Sequence, residues 1–167
     1  LEGSKAKGAS YSDEAVARGA TMIVGEGRRP DHLPASVFYI ETKDARALLS
    51  AAAARFFPRH PKTIVAVTGT AGKTSVADFT RQIFEAAGFH AASLGTIGVT
   101  RAGHVEYGAL TTPDPVSLHQ MLHRLAEEGV THLAMEASSH GLDQKRLESV
   151  PLSAAAFTNL GHDHLDY

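Results

Sequence analysis

Residues 64–75, IVAVTGTAGKTS, decide how this chain folds. An apolar, β-branched run ends at Thr68, a glycine-punctuated turn follows, and Lys73-Thr74-Ser75 comes next. Beyond it, apolar residues recur at Val76, Phe79, Ile83, Phe84 and Ala87, the spacing of one helix face. A strand, a tight loop and a helix N-terminus in that order form a cradle for the phosphates of a nucleoside triphosphate. Gly69 and Gly72 let backbone N–H groups turn toward phosphate oxygens where a Cβ would obstruct them. Lys73 supplies a point charge for the β- and γ-phosphates, and Thr74 a hydroxyl for Mg²⁺. The spelling departs from the commonest P-loop, because Val67 stands where that form has a glycine. The competing reading is a glycine turn in an ordinary βα unit.

Working outward, the composition is that of a globular protein, with 43% hydrophobic and 20% charged residues over 167 positions. A net charge of −2 and the lack of any basic run give no footprint for nucleic acid. There is no cysteine, so the chain can build neither a disulfide framework nor a thiolate metal site, which fits a cytoplasmic protein. The longest apolar run, Leu48 to Phe57, is broken by Ser50 and Arg55 and is far short of a membrane span. The chain begins without Met and stops inside a cluster of functional-looking residues, so we expect a piece of a longer protein.

Ser12-Asp13-Glu14 reads as a helix N-cap with an acidic first turn, and Gly19 as its stop. Strands are expected at Thr21–Val24 and Val37–Ile40, and an alanine-rich helix from Ala45 to Phe57. The prolines of PRHPK then mark a linker, which divides residues 1–60 from 61–167. After the loop helix come a strand at Ala91–Leu94 and a hairpin of Thr96–Thr100 with His104–Tyr107. A helix runs from Pro115 to Gly129, and buried parallel strands are expected at Thr131–Met135 and Ala154–Phe157. Alternating β and α segments around a P-loop predict a three-layer α/β sheet.

Glu136 closes the apolar strand HLAME, at the sheet edge where ligands of open parallel sheets sit. A carboxylate there can hold Mg²⁺ against phosphates; the competing reading is an exposed acid. Ser138, His140, Gln144, Lys145 and Arg146 follow as hydroxyl, polar and cationic groups suited to an anionic ligand, or else as a solvated turn. His162-Asp163-His164-Leu165-Asp166 packs four possible metal ligands into five residues without the spacing of a tetrahedral zinc site. His119 and His123, four apart on one helix, lack the glutamate of a zinc-protease motif and are expected on the surface beside the apolar stripe.

Taken together, TGTAGKTS, SLGTIG, TTPDP, AMEASSHGLDQKR and FTNLGHDHLDY resemble the Mur ligases, ATP-dependent amide-bond enzymes of cell-wall synthesis, and most of all the members that add the third residue of the stem peptide. The resemblance implies part of a small α/β UDP-binding domain over residues 1–60 and the first part of a P-loop ATPase domain, an incomplete three-layer sheet, over 61–167. It implies ATP and Mg²⁺ as cofactors, with Gly69, Thr70, Ala71, Gly72, Lys73, Thr74 and Ser75 on the nucleotide. Thr74, Glu136 and His164 would serve the metal, and Lys73, Glu136 and His164 the catalysis. Thr111, Thr112, Ser138, Gln144 and Arg146 would contact the UDP-N-acetylmuramoyl dipeptide, and Ser4, Lys5 and Ala6 fall near the uridine. Ala71 replaces a usual Asn, and Lys7 a usual Asp. Further implications are an acyl-phosphate intermediate, a cytoplasmic monomer, and a carbamylated lysine and C-terminal domain outside these residues. The neighbouring possibilities are another Mur-type ligase, such as a folylpolyglutamate synthase, or a non-catalytic P-loop module.

Overall fold

The computed structural model describes residues 8–108 and 110–161, and packing divides the chain between Leu49 and Ser50. In the first unit a 3₁₀ turn, Gly8–Tyr11, runs into helix α1, Ser12–Ala17. Ser12 is thus the first helical residue and not the cap: Tyr11 holds that place with no side-chain capping bond. The turn winds ahead of the helix, and the buried Ser12 hydroxyl shares a 2.9 Å hydrogen bond with His32 Nε2. Strands β1, Met22–Glu26, and β2, Phe38–Thr42, pair in parallel from Met22↔Phe38 to Glu26↔Thr42. Helix α2, Ala45–Phe56, starts on two carboxylates: Asp44 accepts from the Ala47 N–H and Glu26 from the Ala45 N–H, both at 2.9 Å. Acidic groups at an N-terminus satisfy its orphan donors.

The second unit, from Ser50, holds the rest. Strand β3, Thr63–Thr68, feeds helix α3, Lys73–Ala86. Next come β4, Ala91–Gly95, β5, Gly98–Arg101, and β6, His104–Tyr107. Helix α4, Pro115–Glu127, leads to β7, His132–Glu136, then to the short helix α5, Ser139–Asp143, and to β8, Ala154–Phe157. The sheet order is β6-β5-β4-β7-β3-β8, with β4, β7, β3 and β8 parallel and the β5 and β6 pairings antiparallel. The expected hairpin starts later than the sequence suggests. Thr96 and Ile97 form the turn between β4 and β5, because Gly95 already pairs with Gly98.

Alternation along the strands sorts residues between the two faces. Ile64 and Ala66 of β3 and Leu133 and Met135 of β7 pack with Leu118, Leu122 and Leu125 of α4. Val67 and Ala134, on the opposite face, pack with Ala77 of α3. Two helices therefore cover opposite faces of one sheet, a three-layer arrangement.

Two expectations of burial fail. Ala154–Phe157 is parallel as expected but exposed at all four positions, since β8 ends the described strand order. His119 is not on the surface; it is 3% exposed, and its Nε2 has no hydrogen-bond partner among the described residues. The linker 58–62 lies against α4: the Arg59 N–H donates to His123 Nδ1 at 3.1 Å, and the Arg59 guanidinium pairs with Glu127 at 3.5 Å.

Candidate active site

Strands β3 and β7 are adjacent, yet the segment after β3 packs on one face of the sheet and the segment after β7 on the other. Such a divergence opens a crevice at the carboxyl ends of the strands. The glycine loop lies at one lip and Glu136 at the other.

Gly69 and Gly72 adopt φ of 127° and 84°, conformations closed to residues with a Cβ at little cost. Gly72 caps α3 with no side-chain bond to the helix start, leaving the first N–H groups of the helix directed outward. Lys73 Nζ donates to the carbonyls of Gly69, at 2.7 Å, and Thr70, at 3.0 Å. One of its three donors is left for a phosphate oxygen.

Residues 158–161, directly after β8, to which the sequence reading gave no role, shape the other side of this loop. The Asn159 carbonyl accepts from the Thr70 N–H and its Oδ1 from the Ala71 N–H, both at 3.0 Å. The Thr158 hydroxyl donates to the Ala71 carbonyl at 2.7 Å, and the Gly161 N–H to Thr70 Oγ1 at 2.8 Å. Two of the N–H groups expected on phosphate are therefore spent inside the protein, and Gly72 to Ser75 carry the outward set. A Cβ on Gly69 would stand 2.1 Å from Thr158 Oγ1, so this glycine serves the protein's own packing as well as any ligand.

Glu136 is 1% exposed, which removes the reading of a solvated acid. Its Oε1 accepts from the Thr96 N–H at 2.9 Å and its Oε2 from the Thr96 hydroxyl at 3.3 Å. It has no Lys or Arg ion pair among the described residues. Thr74, Asp78 and Glu136 line one cavity of about 20 Å³, room for about one water or ion. Asp78 is otherwise engaged: burial opposes its charge, but hydrogen bonds from Arg81 and Gln82 and the Arg81 charge outweigh this and hold its carboxyl below the ordinary value. Glu136 is the one of the two carboxylates with no cationic partner among the described residues.

Thr111, Thr112, Ser138, Gln144 and Arg146 join one network. The buried Thr112 hydroxyl donates to the Glu136 carbonyl and accepts from the Ser138 N–H, both at 3.0 Å. Arg146 donates to the Thr112 carbonyl at 2.6 Å and to Gln144 Oε1 at 2.8 Å. Ser138 Oγ caps α5 by accepting from the Gly141 N–H at 3.1 Å. Thr111 shares a 3.0 Å hydrogen bond with Thr96. Ser4, Lys5, Ala6 and His164, with the rest of the 162–166 cluster, lie outside the described residues.

Residues 67–167 match the family described as Mur ligase middle domain. Over its whole length the chain is 61% identical to the UDP-N-acetylmuramoyl-L-alanyl-D-glutamate–2,6-diaminopimelate ligase of Rhizobium meliloti (strain 1021), covering 34% of that protein. It is 48% identical to the same-named ligase of Caulobacter vibrioides (strain ATCC 19089 / CIP 103742 / CB 15), covering 35% of it. The chain thus spans about a third of the length of the curated relatives it matches. A solved ligase of that name superposes with a TM-score of 0.78 at 29% identity over 93% of this chain and 31% of its own. A MurF ligase from Thermotoga maritima in complex with ADP shares the fold, with a TM-score of 0.56 at 18% identity over 99% of this chain and 34% of its own.

Proposed function

Because the chain belongs to the Mur ligase family, we propose that it carries the ATP-binding end of a ligase joining 2,6-diaminopimelate to UDP-N-acetylmuramoyl-L-alanyl-D-glutamate. The observation that supports this most directly is the shared cavity of Thr74 and Glu136 beside the glycine loop. A buried carboxylate without a cationic partner, facing a hydroxyl, is a hard oxygen donor set, and it suits Mg²⁺, which keeps several waters and few protein ligands. Thr74 and Glu136 would hold that ion, with His164 as a third candidate. When bound, Mg²⁺ supplies the charge neutralisation needed where a triphosphate and a carboxylate must approach each other.

The chain's own groups do the rest. The N–H groups from Gly72 to Ser75 bind phosphate oxygens, and the Lys73 ammonium adds a positive charge. A carboxylate resists attack by an amine because hydroxide is a poor leaving group. Phosphorylation to an acyl phosphate removes that obstacle, and the incoming amine then displaces phosphate. Thr111, Ser138, Gln144 and Arg146 hold the muramoyl dipeptide, with Arg146 matching its negative charge. Residues 1–60 belong to the UDP-binding part, Ser4, Lys5 and Ala6 included, and the enzyme works in the cytoplasm as a monomer.

Calorimetric titration with ATP tests the nucleotide assignment. Lys73→Ala should weaken ATP binding at least tenfold while the variant stays folded by circular dichroism. Unchanged affinity in a folded variant would sink it.

A further inference from the structure

We propose that Thr96 is a positioning residue: it orients the Glu136 carboxylate for its cation and ties that carboxylate to Thr111. The inference rests on the assignment of Glu136 to a cation made above. Thr96 sits on the turn between β4 and β5, on a different segment from the glycine loop and from β7. Its N–H holds Oε1 of Glu136 and its hydroxyl holds Oε2, so a single residue fixes both oxygens. Toward Oε2 the Thr96 hydroxyl is the donor, so in its 3.0 Å contact with Thr111 it is the acceptor. The result is a directional chain, Thr111 O–H to Thr96 O–H to carboxylate.

The burial of its acceptor gives this chain its weight. Glu136 is 1% exposed, and among the described residues no other side chain orients its carboxylate. Partners of a metal-binding carboxylate fix its orientation, and losing one typically costs tenfold or more in metal affinity. Hydrogen bonds in series polarise one another. When Thr111 donates to a substrate instead of to Thr96, the Thr96 donor weakens and its hold on Glu136 Oε2 loosens. Occupancy by the dipeptide therefore lowers the affinity for the cation, in the same direction as loss of the Thr96 hydroxyl.

The test is Mn²⁺ binding to the full-length protein, read by electron paramagnetic resonance with and without UDP-N-acetylmuramoyl dipeptide. Thr96→Val keeps the N–H and the shape but removes the hydroxyl. It should weaken Mn²⁺ binding about tenfold, raise the KM for Mg²⁺ more than it lowers kcat, and abolish the effect of the dipeptide. Thr96→Ser should restore Mn²⁺ binding to within twofold of wild type. Wild-type Mn²⁺ affinity in Thr96→Val, alongside a loss in Glu136→Gln, overturns the role of Thr96 and leaves the cation site standing. Wild-type affinity in Glu136→Gln as well overturns the cation assignment and this inference together. Thr111→Val keeps both Thr96 contacts to Glu136, so it stays informative if Thr96→Val unfolds. A dipeptide effect of wild-type size in Thr111→Val overturns the link to Thr111.

Discussion

Gly95 makes room for the Glu136 carboxylate: a Cβ there would lie 1.9 Å from Oε1 and 2.5 Å from the carboxyl carbon. The clash reaches back to the Glu136 Cγ, at 2.6 Å, on a side chain that is 1% exposed, so a close-packed surrounding must also give way. Gly95→Ala should therefore expel Glu136 from its seat and lower stability by about 1–3 kcal/mol. Urea unfolding checks the second effect, and loss of Mn²⁺ binding checks the first. A variant with wild-type urea midpoint and wild-type Mn²⁺ affinity would show that the strand shifts to absorb the methyl group. Glu136 itself was legible in the sequence, as the polar end of an apolar strand. Gly95 was not, since nothing in SLGTIG says which side chain will lie across it.

Helix α4 shows how an element's environment changes the chemistry of its residues. Asp114 caps it, accepting from the N–H groups of Val116 at 3.0 Å and Ser117 at 3.1 Å, and the pattern of Leu118, Leu122 and Leu125 buries one stripe. The same packing covers His119, one position from that stripe. Burial, and then the charge of His60, hold the His119 pKa below its ordinary value, while the unfolded chain keeps the ordinary value of about 6.5. The unfolded state thus binds the proton more readily, so stability falls as pH drops through about 6.5 and keeps falling until the folded imidazole titrates. His119→Leu removes both this penalty and the unpartnered Nε2. It should raise stability by about 1–2 kcal/mol at pH 7 and flatten the decline between pH 7 and 5. Urea midpoints at the two pH values are the measurement, and equal slopes in both proteins would contradict it. In α3, by contrast, the buried Arg81 is matched by Asp78 at 2.8 Å and Glu85 at 2.6 Å, and the element keeps its charges.

For the whole molecule, the order β6-β5-β4-β7-β3-β8 places β7 between two strands that precede it in sequence. This insertion brings Glu136 beside the glycine loop that lies more than sixty residues earlier. The proposed reaction also needs a surface for the incoming amine, and the match covers only about a third of each curated relative. Effective molarity collapses when one reactant has no binding surface. The 167 residues on their own should therefore bind nucleotide yet show no diaminopimelate-dependent phosphate release from ATP with UDP-N-acetylmuramoyl dipeptide. Turnover by the purified chain would mean that a more compact catalytic centre lies within it.

Local chemistry determined much of this. The β-branched run before Thr68, the glycines at 69 and 72, and the helical spacing after Lys73 act within a few residues of one another, so they can be read in order along the chain. The same holds for Pro115 opening a helix and for Glu136 at a strand end. Only the tertiary structure decided that Asn159 takes up the Thr70 and Ala71 N–H groups, that Thr96 holds both oxygens of Glu136, and that His119 is covered. Each of these is a contact between segments far apart in sequence. Hydrophobic periodicity says which face of a strand or helix is buried, but only sheet order and crossover direction say what lies opposite it.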